Sequence, residues 1–165
     1  LISHTPSRLI YMATLGKAAG VSGAFVAGSQ ELIGGLVQNA RAYIYTTATP
    51  PMLAVALQES LRIIAAEGWR RERLAQLIAQ LRDGLKLLRW QLMPSVTPIQ
   101  PLLIGSSKEA VAVSQALQEK GLLVPAIRPP TVPQGTARLR ISLSAAHSRE
   151  DVELLVDTLH QLEQQ

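Results

Sequence analysis

Apolar residues recur at the spacing of an α-helix from residue 52 to residue 88, which places them along one side of the helix. They are Leu53, Ala56, Leu57, Leu61, Ile64, Leu74, Leu77, Ile78, Leu81, Leu85 and Leu88. Pro50 and Pro51 precede the pattern, as the first turn of a helix permits, and Gly68 and Gly84 are its weak points. We predict one long helix, or two in tandem, that bridges two domains.

Shorter patterns precede this stretch. Residues 9–13 are an apolar, β-prone run that predicts a buried strand, and residues 23–28 predict a second strand. Residues 30–39 predict a short helix with Ser29 as its cap. Residues 1–6 resemble a loop entered midway, so we expect the sequence to be a fragment of a longer protein.

The sequence after Pro94 alternates between strand and helix patterns and predicts a small α/β unit. Strands are predicted at residues 99–104, 122–127 and 138–143, and helices at residues 108–120 and 148–162. Residues 128–133 contain three prolines, which fix φ and predict a rigid loop. Ser148 with Asp151 predicts a capping box at the start of the last helix.

Composition narrows the classes of function. Hydrophobic residues make up 47% of the 165 residues, which predicts a folded core. The net charge is +4, but the densest basic run, residues 69–73, is interpreted as a solvated helix face, so no nucleic-acid partner is expected. No apolar run reaches the roughly 18 residues of a membrane span, and no membrane association is expected. The absence of cysteine fits a cytoplasmic protein.

Lys17 lies directly after a predicted strand and between glycines, in the sequence Thr14-Leu15-Gly16-Lys17. A neutral lysine amine at the floor of a cleft attacks carbonyl groups and forms an imine, and the Thr14 hydroxyl is a donor for a phosphate. From these residues alone an ordinary surface lysine in a turn is the favoured interpretation. His147 is interpreted as structural, and no grouping of His, Asp or Glu has the spacing of a metal site.

Two segments resemble the α-oxoamine synthases, a family of pyridoxal-phosphate-dependent enzymes of fold type I. Residues 14–24, TLGKAAGVSGA, are similar to the family's lysine segment, and residues 126–140, AIRPPTVPQGTARLR, to its substrate loop and following strand. The resemblance implies an α/β fold in three parts. Residues 1–50 would end the large cofactor-binding domain, residues 51–93 would be a linking helical segment, and residues 94–165 a small C-terminal α/β domain.

The resemblance also implies roles for individual residues. Lys17 would bind pyridoxal 5′-phosphate covalently and, once displaced, would remove the Cα proton of the substrate. Thr14 would contact the cofactor phosphate, and Thr46 with Thr47 would reach the phosphate across the interface of a homodimer.

On the substrate side, the resemblance implies that Arg140 binds the amino-acid carboxylate, since a guanidinium matches two carboxylate oxygens. Thr131 would contact the substrate, and Arg128 would face the acyl chain or its terminal carboxylate.

The family joins an acyl thioester to an amino acid with loss of carbon dioxide. The IRPPT sequence is similar to the biotin-pathway branch, which implies L-alanine and a pimeloyl thioester of coenzyme A or acyl carrier protein as substrates. A glycine-using acetyltransferase is the alternative within the family, and a non-catalytic interaction domain is the alternative from another class.

Part of the family's site is missing from the sequence. The family places an aspartate against the pyridine nitrogen and a stacked histidine, both upstream of the lysine, whereas the first aspartate here is Asp83. We therefore expect less than half of the parent enzyme, inactive alone, with apolar surface exposed where the missing part would pack.

Overall fold

The computed structural model describes residues 9–86 and 88–164, so the predicted loop at residues 1–6 lies outside the described part. The chain divides into two compact units, Leu1–Gly68 and Trp69–Gln165. None of the helices among the described residues has the length and hydrophobicity to cross a membrane. The division into residues 1–50, 51–93 and 94–165 stays a prediction.

The described part of the first unit begins with a hairpin of strands β1 (Tyr11–Thr14) and β2 (Ala24–Ala27). The strands are antiparallel and pair Tyr11 with Ala27 and Thr14 with Ala24. Both predicted strands are present, but the predicted burial of the first is wrong, because the Tyr11 and Met12 side chains are 49% and 60% exposed. Two strands alone leave much of their surface open to solvent.

Three helices follow in the described part of the first unit: α1 (Gln30–Asn39), α2 (Arg41–Ile44) and α3 (Pro51–Ala66). The Ser29 hydroxyl accepts a hydrogen bond of 3.3 Å from the Leu32 N–H, which confirms the predicted cap of α1. Many apolar side chains of this unit are exposed, among them Phe25, Val26, Leu36, Val37, Tyr43 and Met52. Such surface is typical of a face that packs against another part of a protein.

The long helical pattern forms two helices in tandem. Helix α3 ends at Ala66, and α4 (Trp69–Gly84) begins after a break at Glu67 and Gly68. Glycine raises the free energy of a helix interior by about 1 kcal/mol relative to alanine, which favours a break at this position. Helix α4 packs against the last helix of the second unit, α6 (Arg149–Glu163).

The second unit contains a four-stranded antiparallel sheet. Its strands are β3 (Gln91–Leu92), β4 (Ile99–Gly105), β5 (Ala126–Ile127) and β6 (Ala137–Ser142), in the order β3-β4-β6-β5, and helix α5 (Ser107–Glu119) lies between β4 and β5 in the chain. The predicted capping box of α6 is confirmed. The Ser148 N–H donates to the Asp151 carboxylate over 2.8 Å and thereby lowers the pKa of Asp151.

The predicted strand at residues 122–127 is wrong over its first four residues, because the chain there closes helix α5. Gly121 has φ of +81°, and the Leu122 N–H donates to the Leu117 carbonyl over 2.9 Å. Helices commonly end with a glycine in the left-handed conformation, followed by a residue whose N–H bonds to a carbonyl five positions earlier. Pairing with β6 therefore begins only at Ala126.

One face of the sheet packs with α4, α5 and α6 into the core of the second unit. The core includes Leu77, Leu81, Leu102, Leu117, Leu139, Ile141, Val152 and Leu159, each fully buried or nearly so. Gln100 is the buried polar residue of this sheet face. It accepts a hydrogen bond of 2.7 Å from Arg82 and donates one of 2.6 Å to the Thr97 carbonyl. These two bonds replace the hydrogen bonds to water that the Gln100 side chain loses on burial.

Gly84 lies where α4 approaches α6, and we predict that Gly84→Ala destabilises the second unit. An added Cβ would lie 2.8 and 2.9 Å from the two Cγ atoms of Val156. We expect a loss of about 1–3 kcal/mol in the free energy of unfolding, measured by urea denaturation with circular dichroism.

The matched control is Gly35→Ala in α1, where an added Cβ meets nothing within 4 Å. It should stabilise by about 0.5–1 kcal/mol, because glycine loses more conformational freedom on folding. Val156→Ala in the Gly84→Ala background should recover part of the loss. If Gly84→Ala is as stable as the original sequence, the close approach of the two helices is wrong.

Candidate active site

Lys17 lies in the turn that connects β1 and β2. The Leu15 N–H donates to the Gly23 carbonyl over 2.8 Å, and the Val21 N–H donates to the Leu15 carbonyl over 2.9 Å. The Gly20 N–H donates to the carbonyl of Lys17 itself over 2.9 Å. Gly20 and Gly23 have φ of +65° and +119°, conformations that side chains with a Cβ rarely adopt. The glycines therefore let the turn fold back and present Lys17 at its tip.

The Lys17 amine is available for a ligand. Its side chain is exposed, and within residues 9–86 and 88–164 it makes no hydrogen bond or ion pair. The Thr14 side chain at the end of β1 is also exposed and makes no hydrogen bond in the same part of the chain. One hairpin thus carries an unpartnered amine and an unpartnered hydroxyl three residues apart in sequence.

Thr46 and Thr47 follow helix α2 and differ in their hydrogen bonds. The Thr46 hydroxyl donates to the Ala42 carbonyl over 2.6 Å, so its single hydrogen is already used. The Thr47 hydroxyl has no partner among the described residues. Of the two predicted phosphate-binding threonines, Thr47 is the one with a free donor.

Arg140 lies on the face of the sheet opposite the core. It alternates along β6 with the buried Leu139 and Ile141, as side chains in a strand must. Its backbone N–H donates to the Pro125 carbonyl over 2.9 Å. In the described part of the chain its guanidinium group is exposed and has no hydrogen bond or ion pair. The side chain is therefore free to bind an anion.

Arg138 lies on the same face of β6, but its guanidinium is bound within the protein. It donates to the Thr136 carbonyl over 3.0 Å, to the Thr136 hydroxyl over 3.2 Å and to the Met93 sulfur over 3.2 Å. The Thr136 hydroxyl in turn donates to the Pro133 carbonyl over 2.8 Å. Arg138 therefore ties β6 to the end of the proline-rich loop, a contact that the sequence pattern did not predict.

Arg128 and Thr131 lie in the loop that directly follows β5. The Thr131 N–H donates to the Arg128 carbonyl over 3.1 Å, and the Pro129–Pro130 peptide bond is cis. Both side chains are exposed and unpartnered within the residues described. Because β5 pairs with β6, this loop and Arg140 extend from neighbouring strands.

The predicted residues therefore fall into two groups. The first unit holds Lys17, Thr14, Thr46 and Thr47, and the second holds Arg128, Thr131 and Arg140. His147 accepts a hydrogen bond of 3.1 Å from the Ser144 N–H, as a structural residue would. The described residues contain no group of three His, Asp or Glu side chains that could hold a metal ion.

A protein-family model described as aminotransferase class I and II matches residues 1–159. The chain is 66% identical to a Nitrosomonas eutropha protein named 8-amino-7-oxononanoate synthase, over 98% of the chain and 42% of that protein. The chain spans less than half of the length of the curated relatives that it matches.

Solved structures are similar over nearly the whole chain. The crystal structure of 8-amino-7-oxononanoate synthase from Francisella tularensis has a TM-score of 0.82 and 29% identity, over 93% of this chain and 45% of that one. A structure of SPT with PLP internal aldimine has a TM-score of 0.85 and 27% identity, over 94% of this chain and 39% of that one.

Substitution of the two arginines of β6 should have unequal effects on stability. Arg138→Gln should lower the free energy of unfolding by about 1–3 kcal/mol, because partly buried partners lose charged donors. Arg140→Gln should change it by less than about 0.5 kcal/mol, because an exposed, unpartnered side chain is removed. Urea denaturation of the two variants measures the difference, and equal effects would contradict the different roles of the two side chains.

Proposed function

Because the chain belongs to the aminotransferase class I and II family, we propose that it is part of an 8-amino-7-oxononanoate synthase of biotin biosynthesis. This enzyme condenses L-alanine with a pimeloyl thioester and releases carbon dioxide and the thiol of the acyl carrier. The observation that carries the proposal is 66% identity, over 98% of the chain, to a relative of that name. We assign the activity to a polypeptide of the relatives' length that contains these residues, here called the full-length enzyme, and expect none from these residues alone.

The residues of the first unit fit pyridoxal 5′-phosphate, which when bound supplies the electron sink for chemistry at Cα. Lys17 provides an exposed, unpartnered amine for its covalent attachment. Thr14 and Thr47 provide hydroxyl donors for its phosphate, whereas the Thr46 hydroxyl already donates to Ala42. With cofactor and alanine bound, the Lys17 amine would be the base that accepts the alanine Cα proton.

The residues of the second unit fit the substrates. The Arg140 guanidinium binds and orients the alanine carboxylate with two parallel N–H donors. Thr131 and Arg128, in the loop beside the β6 strand, contact the acyl substrate, and Arg128 supplies a positive charge for its terminal carboxylate. The acyl carrier is coenzyme A or acyl carrier protein. A homodimer, which the family resemblance implies, and a cytoplasmic location, which fits the absence of cysteine, complete the proposal.

The proposal predicts that Lys17 attaches the cofactor. Borohydride reduction of the full-length enzyme with pyridoxal phosphate, followed by peptide mapping, should place the pyridoxyl group on the peptide containing residues 14–20. Lys108 lies in a helix, and Lys86 and Lys120 follow helix ends, so they serve as internal controls. Lys17→Ala should lose both the label and turnover, since no amine remains to bind the cofactor or move the proton. A label on another lysine, or turnover by Lys17→Ala, would overturn the proposal.

The Arg140→Lys variant tests whether alanine binding needs the paired N–H donors of arginine or only a positive charge. Lysine keeps the charge but loses the planar pair of donors, so alanine binding should weaken by about 1.5–3 kcal/mol. Spectroscopic titration of the cofactor-loaded full-length enzyme with alanine measures this change, and affinity for the cofactor serves as the control that should stay unchanged. Unaltered alanine affinity would remove Arg140 from the substrate site.

A further inference from the structure

A hydrogen bond connects helix α3 to the lysine turn. The Ser60 hydroxyl donates to the Ala19 carbonyl over 2.6 Å, and the two residues are 41 positions apart in sequence. Ala19 lies two residues after Lys17, between Lys17 and the glycine that closes the turn. Ser60 is half-buried, so the bond is less exposed to competing water than one at an open surface.

The partner of this bond is informative because a serine or threonine hydroxyl in a helix can instead donate to a carbonyl four residues earlier in the same helix. The Thr158 hydroxyl of α6 does so with the Leu154 carbonyl. Ser60 instead donates to a separate segment. Its hydroxyl therefore stabilises the arrangement of α3 and the turn, and contributes nothing to the helix backbone.

The Ser60 bond reaches the part of the turn that is itself hydrogen-bonded to Lys17. The Val21 N–H to Leu15 bond and the Gly20 N–H to Lys17 bond close the turn from within. The Ser60 bond fixes the peptide plane between Ala19 and Gly20 against α3. Since that plane carries the N–H that donates to the Lys17 carbonyl, the restraint passes to Lys17 through one peptide unit.

We propose that Ser60 is a positioning residue, which acts through the Ala19 carbonyl to set the direction of the Lys17 amine. The proposal rests on the proposed function, in which Lys17 attaches the cofactor. Helix α3 begins at Pro51, four residues after Thr47. The same helix therefore connects the lysine turn with the segment that carries the free threonine donor.

Ser60→Ala in the full-length enzyme tests the proposal. Alanine has the higher helix propensity, so α3 itself is not weakened. Without cofactor, amide hydrogen exchange at Gly20 and Val21 should become about 2- to 10-fold faster, as loss of one hydrogen bond implies. With cofactor, borohydride labelling of Lys17 should be slower, and the pH midpoint of the cofactor absorbance should shift. Ser60→Thr, which keeps the hydroxyl, should restore all three.

The control is Gln58→Ala, an exposed residue of α3, which should leave all three measurements unchanged. Faster exchange throughout α3 without rescue by Ser60→Thr would show a general structural role and overturn the proposal. So would faster exchange in the turn with unchanged labelling and pH midpoint. If the proposed function itself is wrong, the wild-type enzyme will carry no pyridoxyl label on Lys17. That result distinguishes it from failure of the Ser60 proposal.

Discussion

The alternation of side chains along β6 is the constraint on which the second unit depends. Leu139 and Ile141 point into the core, where helices α4, α5 and α6 cover them. A strand repeats every two residues, so Arg138 and Arg140 must lie on the other face. A slip by one residue would bury two guanidinium groups and expose the core residues, which makes the register strongly specified. Packing in the core therefore places the Arg140 side chain on the exposed face of the sheet.

The two arginines on this face of β6 differ in their hydrogen bonds. Arg138 gives its donors to Thr136 and Met93 and holds the end of the proline-rich loop. Arg140 keeps its donors free within the described residues. In the first unit the division is similar: Thr46 donates within its own segment and Thr47 does not. In both units, anchored polar groups hold the backbone, and their neighbours keep free donors within the described residues.

Much of the fold followed from sequence patterns with a local physical cause. The Ser29 cap, the capping box of Ser148 and the helical pattern interrupted at Gly68 were all predicted and are present. The α/β fold implied by the lysine and substrate-loop segments agrees with TM-scores of 0.82–0.85 to solved structures. The strand predicted at residues 122–125 is absent, because the left-handed Gly121 ends α5 and the Leu122 N–H bonds back to the Leu117 carbonyl.

The candidate site was predictable only through the family resemblance, because the residues around Lys17 alone favour an ordinary surface lysine. Nothing local distinguishes the anchored Arg138 from Arg140, because the difference depends on contacts of Arg138 with Thr136 and Met93. The Ser60 bond joins segments 41 residues apart, so no periodic pattern reports it. The roles of the site residues stay predictions until they are tested in the full-length enzyme.

The most direct test of the central claim follows the carbon atoms of alanine. The full-length enzyme, loaded with pyridoxal phosphate, would receive pimeloyl-CoA and L-alanine labelled with heavy carbon at both the carboxylate and Cα. Mass spectrometry should find one label in the amino-oxo acid product and the other in carbon dioxide, because the carboxylate leaves as the new carbon–carbon bond forms. Pyruvate carrying both labels would indicate transfer of the amino group and contradict the account. So would condensation with glycine and acetyl-CoA in preference to this pair.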